Sequence, residues 1–182
     1  MFEVLGTLCV GVLGCGCPLL VLMGGALLFG RRRSVGDAVD VGGLSMVLSE
    51  SEGPRRVLRA NVLGRDVTLF ELVGAINRSW LLVPVGTEAP AHVVRADTTT
   101  TAPLSPALRQ AIGDVPDVGE LEWARPEDVR SMQPLLGLDA PSYVMVRQPS
   151  RRRVGELSLV LVALAQSLED AMADDVVAPL PS

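Results

Sequence analysis

His92 is the one histidine of the chain, and so the one side chain whose unperturbed charge change falls between pH 5 and 8. As a general base it would need a nucleophile within hydrogen-bond reach, and no Ser or Cys motif accompanies it; a solitary strand-edge histidine reads as structural or solvated. Asp114, Asp117, Glu120 and Glu122 are four carboxylates close in sequence that could gather round a divalent cation. Their spacing lacks the calcium-loop pattern, and acids of this kind also serve simply to keep a surface soluble. Cys9, Cys15 and Cys17 all lie in one apolar run. Cys15 and Cys17, two apart, point to nearly opposite sides of a helix and cannot jointly grip one ion. With one histidine in the chain and every cysteine in the apolar run, structural zinc has no ligand set. Gly24-Gly25 and Gly42-Gly43 do not form a phosphate-cradling loop, and the chain has no lysine to complete one. No catalytic, cofactor-binding or metal-ligating residue is assigned on this basis.

What retains chemical character is arginine. All 16 basic residues are Arg, which reads as coding bias from a GC-rich gene. Three of the 16 and one of the 21 acids precede Ser34, leaving 13 against 20, and this acidic surplus argues against a nucleic-acid-binding surface. Arg151-Arg152-Arg153 precedes a helical pattern whose far end holds Glu169, Asp170, Asp174 and Asp175. Both clusters oppose the helix macrodipole, at about 0.3 to 1 kcal/mol per charge. An anionic leaflet or an acidic protein surface would offset that cost; the plain alternative is a solvated loop.

The element that would bring such charges to a membrane is the first one. From Val4 to Gly30 no residue is charged, and about 40 Å of helix exceeds the roughly 30 Å hydrocarbon core, so residues 1–33 read as a single transmembrane anchor with an arginine stop. A cleavable signal is disfavoured by the absent basic n-region and the length, and Val12-Leu13-Gly14-Cys15 is followed by more apolar residues rather than the polar linker of a lipoprotein. Pro18 should kink the span. Arg31, Arg32 and Arg33 close it while only Glu3 precedes it, which places the rest of the chain in the cytoplasm, beneath the plasma (inner) membrane. Thr7, Gly11 and Cys15 recur every fourth residue and offer a small-residue face for a homodimer through the span; chance spacing in a glycine-rich run is the alternative.

The expected fold is α+β: a juxtamembrane connector over 34–43, a domain over 44–173 and a mobile tail over 174–182. Val57–Val62 and Val67–Val73 alternate about the turn residues Leu63-Gly64-Arg65-Asp66 and predict a hairpin. Ser79–Val85 and His92–Ala96 extend it as a three- or four-stranded antiparallel meander, with further strands at 120–124 and 142–147; Leu44–Leu48 opens the domain after the connector. About three helices should pack on this sheet. One is capped by Ser105 with Pro106 in its first turn and stops at Gly113, a second opens at Pro126-Glu127-Asp128 and ends near Gly137, and the longest covers Val154–Met172. In the last, Leu157, Val160, Leu161, Leu164 and Leu168 make a core-facing stripe.

The stretch Gly64-Arg65-Asp66-Val67-Thr68-Leu69-Phe70-Glu71, behind an N-terminal span and ahead of a C-terminal amphipathic helix, resembles a loose group of bacterial membrane-anchored domains without an assigned activity. The resemblance covers Arg55 to Met172 and implies an anchored α+β domain; it carries over no functional residue. The function expected is a non-catalytic interaction or scaffold domain whose partners are the bilayer and a protein or second copy. A membrane-tethered enzyme and a sensor coupling span to domain are the alternatives.

Overall fold

The computed structural model describes residues 34–90, 92–94, 105–116, 118–129 and 136–177. The Val4–Gly30 span, Arg31, Arg32 and Arg33, and the Thr7, Gly11 and Cys15 face lie outside the described residues. Among those described, no helix is long and apolar enough to cross a membrane. From Val35 onward the chain forms a compact unit with its own core.

Eight antiparallel strands make one sheet: β1 (Ala38–Val41), β2 (Leu44–Glu52), β3 (Arg55–Val62), β4 (Arg65–Leu72), β5 (Arg78–Val85), β6 (Val93–Val94), β7 (Leu121–Ala124) and β8 (Ser142–Arg147). Their order is β1-β2-β3-β4-β5-β8-β7-β6. Side-chain alternation sends Val39, Val41, Met46, Leu48, Val67, Leu69, Leu81, Val83, Val144 and Val146 to one face. That face is covered by α2 (Val154–Val177), whose Val154, Leu157, Leu161, Leu164, Ala165 and Leu168 are buried along a helical stripe. A shorter helix, α1 (Pro106–Gly113), adds Leu108 to the same core; the Ser105 side chain accepts from the Leu108 N–H at 3.3 Å and caps its first turn. On the opposite face Val57, Phe70, Leu82, Tyr143 and Met145 pack under Val129 and Leu136. Strands β5, β7 and β8 are therefore buried on both sides over most of their length.

The α+β expectation of about three helices on a modest meander is corrected. Among the described residues the unit is mostly one eight-stranded antiparallel sheet, with one long C-terminal helix and one short one. Pro126–Val129 is a 3-10 turn whose start is capped by the Asp128 carboxylate, which accepts from the Arg125 N–H at 3.2 Å; residues 130–135 of the expected second helix lie outside the described residues. Part of the expected connector is strand β1, which turns at Gly42 and Gly43, both at positive φ, into β2. The expected fourth strand is short and pairs with β7 instead of extending the meander. The long helix runs past Asp174 to Val177.

One charge cluster ties helix to sheet. Arg65 grips both carboxylate oxygens of Glu169, Gln166 accepts from the same guanidinium at 2.9 Å, and the Gly86 N–H donates to Glu169 at 2.6 Å. The Arg65 hydrogen bonds, opposed by desolvation and helped by Gly86, hold the Glu169 carboxyl below its ordinary pKa. A depressed carboxyl pKa contributes stability that is present above the ordinary carboxyl range and lost as pH falls through the folded value. Glu169→Gln should accordingly melt earlier than the parent at neutral pH, and the two melting curves should converge in acid. A gap that stays constant down to pH 3 would contradict this assignment.

Candidate functional site

The register of the sheet gathers arginines at one of its ends. Arg55 pairs with Leu72 and Leu72 with Arg78, so the start of β3, the end of β4 and the start of β5 lie side by side. Arg147 ends β8 opposite Trp80. Arg151, Arg152 and Arg153 follow in a 3-10 turn that leads into α2, all three exposed. The expected cost of this triplet against the helix dipole is largely met from within the protein. Arg151 reaches Glu71 at 3.3 Å, and Arg153 makes a two-pronged contact with Glu156 at 2.9 and 3.1 Å, which holds the Glu156 carboxyl below its ordinary range. Arg152 is left, and with Arg55, Arg56 and Arg78 it makes no ion pair among the described residues.

Between β4 and β5 the chain exposes apolar side chains among these arginines. Val73 is 42% and Ile76 70% exposed, in a loop held by the Asn77 side chain, which accepts from the Gly74 N–H at 3.1 Å. Exposed Glu52 and Glu120 lie at the same end and trim the surplus of positive charge. The opposite end of β4, β5 and α2 carries Asp66, Glu88, Glu169, Asp170 and Asp174, with Arg65 answering only one of them directly. The charge is polarised along the helix axis. The chain enters close to the arginine end: the Gly36 N–H donates to the Leu48 carbonyl at 2.8 Å, and Leu48 pairs with Leu58, two residues along β3 from Arg56.

Two clefts meet at Arg78. One, of about 290 Å³, is lined by Arg56, Glu71, Val73, Asn77, Arg78 and Arg151 on the helix side of the sheet. The other, of about 480 Å³, lies on the far side between Arg78, Trp80, Glu120, Arg147 and Gln148. Behind its wall sits Glu122, at 0% exposure, whose carboxylate accepts from Arg147 Nε and Nη2 and from His92 Nε2 at 2.8 Å. The hydrogen bonding of Arg147 to Glu122 raises the Arg147 pKa against the opposing effect of desolvation, and it fixes the guanidinium on the cleft wall.

The candidate acids of the sequence therefore part company. Glu122 is a buried ion-pair member, Glu120 is exposed at a cleft rim, Asp114 is exposed elsewhere, and Asp117 lies outside the described residues. Among the described residues no three His, Cys, Asp or Glu side chains could jointly hold a metal ion. His92 belongs to the Glu122 cluster, with no nucleophile beside it. Arg55, Arg56, Arg78, Val73 and Ile76 were missed because each is unremarkable alone; the paired turn ends of β3, β4 and β5 were the available signal. Comparison with protein-family models, with curated proteins and with solved structures gives no match for this chain.

Proposed function

We propose that the chain is a membrane-anchored, non-catalytic domain that rests the arginine end of its sheet on the anionic cytoplasmic leaflet. The observation that carries this reading is the exposed Val73 and Ile76 loop standing among Arg55, Arg56 and Arg78, with exposed Arg152 next in the chain to Arg151, which lines the same cleft as Val73. Apolar tips ringed by arginine suit an interface where side chains enter the acyl boundary while guanidinium groups meet phosphate. After Glu52 and Glu120 are set against the four arginines, the surplus is about two charges, at roughly 1 kcal/mol each. Partial insertion of Ile76 and Val73 adds about 2 kcal/mol. A total near 4 kcal/mol corresponds to millimolar affinity, too weak for a free domain at low lipid but adequate once an anchor supplies millimolar effective concentration. The acidic opposite end turns away from the leaflet and sets the orientation.

The test uses residues 34–182, which carry the whole core, on phosphatidylserine-rich and pure phosphatidylcholine vesicles at about millimolar lipid. Binding should be confined to the anionic vesicles and should fall with added salt. Ile76→Asp and a joint Arg56→Gln/Arg152→Gln variant should each weaken it at least several-fold. Equal binding to both lipids, or variants indistinguishable from the parent, would remove the docking reading.

A further inference from the structure

We infer that the cleft walled by Arg78, Trp80, Glu120, Arg147 and Gln148 binds a phosphate ester that carries neighbouring hydroxyl groups, the chemistry of a phosphoglycerol headgroup. The inference rests on the docking reading only for the direction from which a lipid would arrive. Each wall supplies a different part of the recognition. Arg78 has no ion pair among the described residues, while Arg147 keeps Nη1 clear of Glu122, so two guanidinium groups face one space. The Arg147 fork is held by a fully buried carboxylate, the arrangement that spares an anion site the entropy of ordering a long side chain.

Trp80 supplies an apolar wall. Its ring is set by Phe70, with centroids 5.6 Å apart and planes tilted by 42°. Glu120 stands opposite as an acceptor, positioned by its own carbonyl, which takes the Arg147 N–H at 3.2 Å. A carboxylate beside two arginines repels a bare phosphate but accepts hydroxyl hydrogens, so the ligand must present both groups. Gln148 adds an amide that both donates and accepts. Its backbone is held at φ 49°, a left-handed conformation that a non-glycine residue seldom adopts, by donating to the Ser79 carbonyl at 2.7 Å. The cleft volume of about 480 Å³ suits a headgroup-sized ligand.

Vesicles of equal charge made with phosphatidylglycerol or phosphatidylserine test this, with Glu120→Ala and Trp80→Phe as variants and glycerol 1-phosphate as the soluble probe read by tryptophan fluorescence. The parent should prefer phosphatidylglycerol by about fivefold, the worth of one net hydrogen bond. Glu120→Ala removes a negative charge and so should tighten binding to phosphatidylserine, while the preference between the two lipids collapses toward unity; Trp80→Phe should lose preference without that tightening. Glycerol 1-phosphate should change the fluorescence of the parent and compete for phosphatidylglycerol vesicles, whereas inorganic phosphate should do neither. Equal affinity for the two lipids with docking intact overturns the cleft and leaves the docking reading standing. Binding of glycerol 1-phosphate with no vesicle binding keeps the cleft as a site for a soluble ester and overturns docking. No response to either probe overturns the cleft.

Discussion

Arg147→Leu should cost about 3 kcal/mol of folding stability, more than any change to its partner. Glu122 is inaccessible to water within a sheet covered on both faces, and Arg147 provides two of the three side-chain hydrogen bonds to its carboxylate. Removing the guanidinium leaves a buried charge answered by His92 alone. The reverse change is milder. Glu122→Leu releases Arg147, whose side chain is 46% exposed, and His92, at 36%, and both can turn to solvent, for a loss of about 1 kcal/mol. The double variant Glu122→Leu/Arg147→Leu should recover about 2 kcal/mol relative to Arg147→Leu, since no uncompensated charge remains. Urea unfolding of the three variants measures this directly. Equal losses in the two single variants, with simple addition in the double, would show that the pair is not coupled.

Gly155→Ala should destabilise the protein by about 2 kcal/mol, against the sign that helix propensity alone assigns. Within a helix, alanine in place of glycine is ordinarily favourable by about 1 kcal/mol. Here a Cβ at position 155 would stand 2.6 Å from the Gly42 carbonyl oxygen and 3.6 Å from the Leu44 nitrogen. Both are backbone atoms of the β1–β2 turn, which cannot rotate out of the way as a flexible side chain would. The turn is itself constrained, because Gly42 adopts φ 62° and a Cβ there would meet the Arg151 and Arg152 backbone. A lowered thermal midpoint for Gly155→Ala is the expected result; a raised one would mean that the first hairpin is not seated on the helix start.

The hairpin of β3 and β4 was legible because Leu58, Ala60 and Val62 alternate with Arg59 and Asn61 around Leu63-Gly64. Ser105-Pro106 and the stripe from Leu157 to Leu168 were legible for comparable local reasons, caps and periodicity. Strand β1 was hidden because four residues with Asp40 among them resemble a connector until β2 pairs with them. Glu122 reads as the outward residue between Leu121 and Trp123, and only the closure of the second face over β7 makes it buried. The helix-start chemistry at Pro126 was legible as well, and the Asp128 carboxylate caps the Arg125 N–H at the start of the 3-10 turn. The candidate site was least legible of all, since Arg56, Arg78 and Val73 are neighbours only through strand register and Arg151 joins them only where the turn after β8 returns over the sheet. The triplet Arg151 to Arg153 was visible, but Glu71, which answers Arg151, comes from a strand eighty residues earlier in the chain.

The sheet order has a kinetic corollary. Strands β1 to β5 zip to their sequential neighbours through short turns, but β5 must then wait for β8, since Val85 pairs with Ser142 across 57 positions of chain. Closing that loop costs about 3 kcal/mol more entropy than closing a two-residue turn. During synthesis, β5 is therefore a growing edge whose Leu81, Val83 and Val85 stay uncovered until the last third of the polypeptide has left the ribosome, which makes this seam the place where nascent chains can join one another instead of themselves.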